Sequence, residues 1–421
     1  MVQTGRCDRN GTQRFRLSAA AQPSTQTSEN AANCALSQQA QTGLEVLLSD
    51  HLGELVGVAV GIAANHASVT SGLVHISDAL ASAGVKIKAL FGPEHGARGD
   101  VADGEHVGDA VDGRLGVPVY SLYGKHRAPT PEMLDGIDVM LVDLQDVGSR
   151  FYTFLYTMAN VMDACGACGV PVWVLDRPNP ITGTNPEGPI LEPDFASFVG
   201  MYSIAQRHGL TAGELARLFE TRFGVECDLR VIKMRGWARR MWFDETGLPW
   251  VMPSPNMPSL ETAVVYPGLC LLEGTNVSEG RGTVRPFELF GAPWIEPREL
   301  KAALLDYDLP GAVFREAYFV PTTSKFAGIR CAGAQVHVTD RDKFRPVVTG
   351  VAVVAALRRL YPDDFAFRAP GVDGRRHFDL LAGTSAVREA IDSGASPWEI
   401  AAGWERGLAE YAEVCRSVML Y

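Results

Sequence analysis

The stretch Val139–Arg150 reads VMLVDLQDVGSR, and it combines the two features that best indicate the fold. Val139–Val142 is a short, continuous apolar run, which is typical of a strand buried on both faces of a parallel sheet. Polar residues begin at Asp143, at the point where this strand would end. Because parallel strands bring their carboxyl ends to one edge of a sheet, where ligands bind, the stretch predicts both a parallel sheet and a site at its edge.

Three further apolar runs are each followed by a cluster rich in polar residues, glycine or proline. The pairs of run and cluster are Ile87–Phe91 with Gly92–Gly96, Val117–Tyr120 with Ser121–Lys125, and Val172–Leu175 with Asp176–Pro180. Another buried-strand run, Val56–Ala63, precedes Asn65. If all these strands lie in one sheet, their polar ends form one composite site.

Helical patterns separate the predicted strands. They are Ile76–Gly84, Pro131–Leu134, Phe151–Cys165 and a helix that begins at a Thr211–Glu214 capping box, with a further strand predicted at Leu229–Met234. Strands that alternate with helices predict an α/β fold with a parallel sheet. Residues 236–296 are predicted to be mostly long loop. A second α/β pattern follows, with a strand at Cys331–Val338 and helices at 297–305, 347–360, 384–393 and 397–415.

Composition limits the classes of function. The 421-residue chain is 46% hydrophobic and carries a net charge of −11, with no Lys/Arg run longer than a pair, which disfavours a nucleic-acid surface. No stretch approaches the roughly 20 apolar residues of a membrane span. Residues 1–42 are predicted to be a disordered leader without a signal-peptide core. We therefore expect a cytoplasmic protein, or an exported one if a misassigned start hides a signal.

Neither a metal nor a cofactor is predicted. The cluster of Glu94, His95, Asp103, Glu105 and His106 matches no standard set of metal ligands. A Gly-x-x-x-x-Gly-Lys-Ser/Thr loop and a Gly-x-Gly-x-x-Gly loop after the first strand are both missing, which disfavours phosphate and dinucleotide sites. The Cys-x-x-Cys pair at Cys165 and Cys168 has no second pair at zinc-ribbon spacing, so these residues are interpreted as ordinary thiols.

Glu94 is the candidate general acid. It lies in the segment Gly92–Gly96, beside His95, at the end of a predicted strand. A rigid loop at a sheet edge holds a carboxyl group in fixed, partly desolvated surroundings, which is how the pKa of a general acid is raised. The alternative is a loop glutamate that caps a helix. We take Glu94 and His95 as candidate catalytic residues.

Two strand ends carry the mixture of groups that binds sugars. Asp143, Gln145, Asp146, Arg150 and Tyr152 supply acceptors, donors and an aromatic ring after one strand. The alternative is a structural ion pair between an aspartate and an arginine.

Asp176, Arg177 and Asn179 follow another strand in a loop that prolines make rigid, and Asn65 follows the first strand. Asp176 or Asn179 can accept hydrogen bonds from hydroxyl groups, and a rigid turn without binding function is the alternative.

The glycine-rich segment Glu273–Arg285 contains two acids, Glu273 and Glu279, together with Asn276 and Arg281. The planar fork of an arginine suits a carboxylate on a ligand.

A series of longer motifs runs in order along the chain: FGPEHG (91–96), SLYG (121–124), DLQDVGSRFY (143–152), LDRPNP (175–180), HGLT (208–211), PSPNMP (253–258), YPG (266–268), EGTN (273–276), SEGRGT (278–283), PF (286–287) and GAPW (291–294). Through these motifs the chain resembles the exo-β-N-acetylmuramidase (NamZ-like) family of bacterial proteins, from about Leu44 to Tyr421. Through these motifs His208 and Asn256 join the candidate substrate-binding residues.

The resemblance implies a Rossmann-like parallel-sheet domain (43–285), a smaller C-terminal α/β domain (286–421) and a cleft between them. It implies release of non-reducing terminal N-acetylmuramic acid from peptidoglycan fragments, with N-acetylmuramic acid linked to N-acetylglucosamine as the saccharide partner. Alternatives are a glycosidase for another N-acetylated sugar and a non-catalytic sensor of muropeptides.

Under this interpretation Glu94 protonates the glycosidic oxygen. The second carboxylate is Glu279, Glu273 or Asp143, unless the acetamido group of the substrate is the nucleophile. Arg150, Arg177 and Arg281 are candidates to bind the lactyl carboxylate of muramic acid.

Overall fold

Twelve strands in three sheets and twelve α-helices make up the part of the chain that is described, residues 39–94, 96–97 and 110–421 of a computed structural model. The strands are β1 Ala59–Ala64, β2 Lys86–Gly92, β3 Ala110–Val111, β4 Pro118–Ser121, β5 Val139–Asp143, β6 Val172–Leu175, β7 Glu187–Ile190, β8 Ala205–Arg207, β9 Leu229–Ile232, β10 Leu289–Ala292, β11 Ala312–Phe319 and β12 Cys331–Val338. The helices are α1 Gly43–Val46, α2 Ile76–Ser82, α3 Pro131–Leu134, α4 Phe154–Ala167, α5 Ala212–Phe223, α6 Leu260–Leu269, α7 Pro297–Leu305, α8 Pro346–Leu360, α9 His377–Ala382, α10 Ala386–Asp392, α11 Pro397–Ala402 and α12 Glu405–Arg416.

The main sheet has the strand order β3-β4-β2-β1-β5-β6-β9. All neighbouring strands are parallel except β3, which runs antiparallel to β4. Without β3, the strands follow the order 3-2-1-4-5-6 along the chain, which is the Rossmann order. Every residue of β1 and β5 is buried, as a strand covered on both faces requires. The predicted Rossmann-like parallel sheet is confirmed.

The C-terminal part has its own smaller, antiparallel sheet with the order β10-β12-β11. β11 and β12 pair along their whole lengths, from Ala312 opposite Val338 to Phe319 opposite Cys331. α7 packs on both of these strands and also on α8. The prediction of a second, smaller α/β domain is therefore confirmed.

One helix lies where the sequence predicted mostly loop. The last eight residues of α6, Thr262–Leu269, are all buried. Gly268 lies so close to α8 that a Cβ atom there would be 1.8 Å from the carbonyl oxygen of Pro346. A helix buried on all sides has no polar face, and so it lacks the periodicity by which a surface helix is recognised.

Two predicted boundaries are corrected. The leader was predicted to reach residue 42, but Ala40 is 1% exposed, Gln41 forms a β-bridge with Arg235, and the Thr42 side chain caps α1. Residues 1–38 lie outside the described residues. The predicted single helix 397–415 is two helices, α11 and α12, which are separated at Gly403.

No helix in the described part of the chain has both the length and the apolar character that crossing a lipid bilayer demands. Within the same ranges, no three or more His, Cys, Asp or Glu side chains are grouped so as to hold a metal ion.

Candidate active site

A cavity of about 530 Å³ lies beside the carboxyl ends of the parallel strands. Its wall includes Glu94 after β2, Tyr123 after β4, and Tyr152 and Thr153 after β5. Residues from further along the chain complete the lining, among them Phe198, Val199, Asn256, Glu273, Arg281 and Phe287. The cavity is thus built from the main sheet edge together with segments far apart in sequence.

A tight turn after β2 positions Glu94. The backbone N–H of Gly96 donates to the carbonyl oxygen of Pro93 at 3.0 Å, and Gly96 has a φ of 80°, which glycine adopts readily. The Thr153 hydroxyl donates to Glu94 Oε2 at 3.3 Å. Glu94 is half-buried, and both the turn and the Thr153 hydroxyl restrain its position. His95 lies outside the described residues.

Gly92→Ala is expected to lower kcat about tenfold for the glycoside hydrolysis that the family resemblance implies. The protein is expected to stay folded. A Cβ atom at Gly92 would lie 2.5 Å from the backbone nitrogen of Ala97 and 2.8 Å from the carbonyl carbon of Gly96, so the turn carrying Glu94 must shift. Small displacements of a reacting group reduce rates strongly. Steady-state kinetics measures the effect, with Gly53→Ala as control because a Cβ there meets nothing within 4 Å. Unchanged kcat in Gly92→Ala would contradict this role of the turn.

Glu273 and Arg281 form an ion pair in the wall of the cavity. Arg281 donates to Glu273 Oε1 from Nε at 3.0 Å and from Nη2 at 2.8 Å, and His377 Nε2 lies 3.9 Å from Glu273 Oε2. Burial alone would raise the pKa of Glu273, but the charge and hydrogen bonds of Arg281 and the nearby His377 ring outweigh it and hold the pKa at about 2. Glu273 is therefore a carboxylate that is ionised at neutral pH.

Glu279 lies close to Arg281 but does not line the cavity. It is 2% exposed, and Lys325 donates to its Oε2 at 3.0 Å. Lys325 also donates to the carbonyl oxygens of Leu272 and Val277. The Arg281 Nε atom lies 3.7 Å from Glu279 Oε1, so Glu279 helps to hold Arg281 in place.

Asp143 and Arg177 form a buried, bidentate ion pair at the point where the strand order reverses, between β1 and β5. Arg177 donates through Nε and Nη2 to the two carboxylate oxygens, and also to the carbonyl oxygen of Val69. Beside them, Asn65 donates to the carbonyl oxygen of Pro253 at 3.2 Å and accepts from Ser68 at 3.0 Å. At this crevice, where Rossmann folds hold their ligands, the polar side chains bind one another. The geometry does not support ligand binding by Asp143, Arg177 or Asn65.

Arg150 is fully buried and away from the cavity lining. Its guanidinium donates to four carbonyl oxygens, which belong to Pro189, Ile204, Leu381 and Ala382, at 2.7–2.9 Å. Burial lowers its pKa to about 10. This placement does not support the prediction that Arg150 binds a carboxylate of the substrate.

Asp146 and His208 join two loops in the interior. His208 Nδ1 accepts from the backbone N–H of Leu210, which assigns the proton of a neutral ring to Nε2, and Nε2 lies 3.0 Å from Asp146 Oδ2. Asp146 also accepts from the backbone N–H of Gly148 at 2.6 Å. Their contacts are those of a structural pair outside the cavity lining.

Three further amide candidates also bond to the backbone. Gln145 donates to the carbonyl oxygens of Asp146 and Pro178, and Asn179 donates to that of Leu210. Asn276 donates to the carbonyl oxygen of Asp364. These side chains fix the loops around the site.

Asp176 is buried beneath the sheet edge and accepts from the hydroxyls of Thr211 and Tyr421 and from the backbone N–H of Gly213. Burial raises its pKa to about 6 even though these donors oppose the shift. Asp176 ties the terminal Tyr421 to the main sheet and lies outside the cavity lining.

Five of the predicted site residues line the cavity: Glu94, Tyr152, Asn256, Glu273 and Arg281. Several residues at the site were not among the candidates predicted from the sequence, and Tyr123, Phe198, His377 and Lys325 are four of them. Tyr123 lies in the SLYG motif, so a signal existed for it. His377 and Lys325 reach the site only through the tertiary fold, and nothing in their local sequence marks them.

Comparison with known proteins agrees with this architecture. The family models for the N-terminal and C-terminal parts of exo-β-N-acetylmuramidase NamZ match residues 60–261 and 264–421. The peptidoglycan β-N-acetylmuramidase NamZ of Bacillus subtilis (strain 168) is 50% identical over 382 residues, which are 90% of this chain and 91% of that protein. Two DUF1343 family proteins of Bacteroides fragilis NCTC 9343 have similar crystal structures. Their TM-scores are 0.84 and 0.72 at 37% and 29% identity, and each comparison covers 91% of this chain and 99% of the other. The chain therefore belongs to the NamZ family of exo-β-N-acetylmuramidases.

Proposed function

We propose that this protein hydrolyses the glycosidic bond between a non-reducing terminal N-acetylmuramic acid and the rest of a peptidoglycan fragment. The observation that carries the proposal is that one cavity contains both a carboxyl group on a rigid turn, Glu94, and an ionised carboxylate paired with an arginine, Glu273 and Arg281. The volume of about 530 Å³ is in the range of small-molecule sites. Glycosidases use two carboxyl groups of this kind, one of them as an acid.

The residues in and next to the cavity have separate roles in this reaction. Glu94 donates its proton to the glycosidic oxygen as the bond from that oxygen to the anomeric carbon breaks, and a water molecule finally adds to the anomeric carbon and returns a proton to Glu94. Glu273 stays ionised and stabilises the positive charge that develops on the sugar ring in the transition state. Glu279 contacts Arg281 and is itself bound by Lys325, so the two residues hold Arg281 in place. Tyr152 and Asn256 contribute to the wall against which the sugar lies.

The activity is tested by incubating the purified protein with the disaccharide in which N-acetylmuramic acid is β-linked to N-acetylglucosamine. Free N-acetylmuramic acid and N-acetylglucosamine, identified by mass spectrometry, are the expected products. The same sugars joined in the opposite order are the control, and they should stay intact. Binding of the first disaccharide without any cleavage would contradict the proposal and favour a sensor.

Arg281 is the candidate to bind the lactyl carboxylate, because it lines the cavity whereas Arg150 and Arg177 do not. Arg281→Lys keeps the charge but loses the planar fork. We expect the preference for an aryl N-acetylmuramide over the matching N-acetylglucosaminide to fall about 10- to 100-fold, as the loss of a charged hydrogen bond predicts. The ratio of the two kcat/KM values is the measurement.

Arg285→Lys is the matched control for this experiment. Arg285 lies in the same glycine-rich segment but is half exposed, and its guanidinium pairs with Glu288 at 3.4 Å. This variant should keep the preference. Equal losses of kcat/KM on both substrates in Arg281→Lys would show that Arg281 does not recognise the lactyl group.

A further inference from the structure

A half-buried pair of aromatic side chains forms part of the cavity wall. The rings of Tyr123 and Phe198 have their centroids 6.2 Å apart, with an angle of 48° between the planes. The guanidinium carbon of Arg127, which is exposed, lies 4.4 Å from the Phe198 ring centroid. Such a cation–π contact holds the ring in a fixed orientation. We call Tyr123 and Phe198 the aromatic wall.

Phe198 lies at the tip of a short hairpin turn. Ser197 and Gly200 exchange backbone hydrogen bonds at 2.8 and 3.0 Å, so Phe198 and Val199 are the two central residues of a hairpin turn. Neither residue has a positive φ, so the turn does not require glycine or asparagine at these positions. Both residues line the cavity with apolar side chains.

The turn is anchored from outside the cavity. Arg375 donates from Nη1 to the carbonyl oxygens of Asp194 and Ala196 at 3.1 and 2.8 Å. These bonds fix the segment that leads into the turn, and so they restrain the position of the Phe198 ring.

Exposure divides the aromatic lining into two groups. Phe151, Tyr152, Tyr266 and Phe287 are buried and pack edge-to-face against one another. The aromatic wall, in contrast, is half-buried and borders the solvent. An enzyme that acts at a chain end encloses the terminal sugar, and the remainder of the substrate has to leave the cavity toward the solvent.

On the basis of the proposed function, we propose that Tyr123 and Phe198 bind the sugar on the leaving-group side of the scissile bond. That sugar, N-acetylglucosamine, carries no charge and presents a face of C–H groups, for which an aromatic surface with a solvated edge is suited. The aromatic wall therefore makes the enzyme selective for a saccharide leaving group. Holding the leaving sugar also aligns the glycosidic oxygen for proton transfer.

The test compares two substrates that share the terminal sugar. One is the disaccharide of N-acetylmuramic acid and N-acetylglucosamine, and the other is β-N-acetylmuramyl fluoride, whose leaving atom is too small to reach the aromatic wall. In Phe198→Ala and Phe198→Leu, we expect the ratio of kcat/KM for the disaccharide to kcat/KM for the fluoride to fall at least tenfold. Phe198→Tyr, which keeps the ring, should restore most of the ratio.

Tyr318→Ala is the matched control, because Tyr318 is 56% exposed and lies on β11, outside the cavity lining. It should leave the ratio unchanged, and thermal unfolding verifies that each variant is folded. An unchanged ratio in both Phe198→Ala and Phe198→Leu would overturn the inference while the proposed function stands. Failure of the wild-type protein to hydrolyse either substrate would overturn both.

Discussion

Glu94→Gln is expected to lower kcat on the disaccharide of N-acetylmuramic acid and N-acetylglucosamine by about 10²- to 10⁴-fold, the usual contribution of a general acid. Glutamine preserves the size of the side chain and can still bond with Thr153, but it has no proton to give to the glycosidic oxygen. The loss should be much smaller on an N-acetylmuramide with a 2,4-dinitrophenyl leaving group, because that group departs without protonation.

The dependence on the leaving group separates an acid from a residue that merely shapes the cavity. Glu410→Gln is the control, since Glu410 is exposed and pairs with Arg406 on the surface of α12. Wild-type kcat on the disaccharide, or equal losses on both substrates, would contradict the assignment of Glu94 as the acid.

Arg150→Met is expected to lower the free energy of unfolding by about 3–5 kcal/mol, because several buried carbonyl oxygens lose a hydrogen bond from a charged donor. Methionine can occupy part of the space of the arginine stem, but four carbonyl oxygens each lose the hydrogen bond from Arg150. Those carbonyls belong to or adjoin β7, β8 and α9, so one side chain joins the two-stranded sheet to a C-terminal helix. Gly383 also packs against this side chain, since a Cβ there would lie 2.6 Å from Arg150 Nη2.

Denaturant unfolding followed by circular dichroism measures this effect. Arg298→Met is the control, because the Arg298 side chain is 84% exposed and its Nε atom lies 3.8 Å from Glu316 Oε2. Its free energy of unfolding should stay within about 0.5 kcal/mol of wild type. An equally small change in Arg150→Met would show that the four carbonyl contacts of Arg150 do not stabilise the fold.

The main sheet was predictable because burial on both faces leaves a direct mark on the sequence. The runs at Val139–Val142 and Val172–Leu175 are continuous and apolar, and each forms a central parallel strand. The Thr211–Glu214 capping box likewise begins α5, because its two hydrogen bonds are local in sequence. Such features need no knowledge of the tertiary fold.

Other elements depend on partners that the local sequence does not reveal. β7 and β8 are short, and Glu187–Ile190 contains both a glycine and a proline, so neither strand has the pattern of a buried strand. α6 is apolar on all sides and contains Pro267, which is unfavourable inside a helix. Its packing on α8 decides its structure.

The sequence predicts which edge of the sheet carries the site, but it does not predict which residues line the cavity. A polar residue at the end of a strand can face a ligand or another polar residue, and spacing does not distinguish the two. Glu94 lines the cavity, whereas Asp143 is bound by Arg177, although both follow parallel strands. His377 and Lys325 reach Glu273 and Glu279 from distant parts of the chain, so only the fold places them there.

The enzyme is expected to remove one terminal N-acetylmuramic acid at a time, in the cavity that contains Glu94. Mass spectrometry of the products from a defined peptidoglycan tetrasaccharide, which begins with N-acetylmuramic acid at its non-reducing end, measures this directly. Free N-acetylmuramic acid and a trisaccharide that begins with N-acetylglucosamine are the expected first products, in wild type and not in Glu94→Gln. Disaccharide products of internal cleavage would contradict exo-action, and equal release by the two proteins would contradict the role of Glu94.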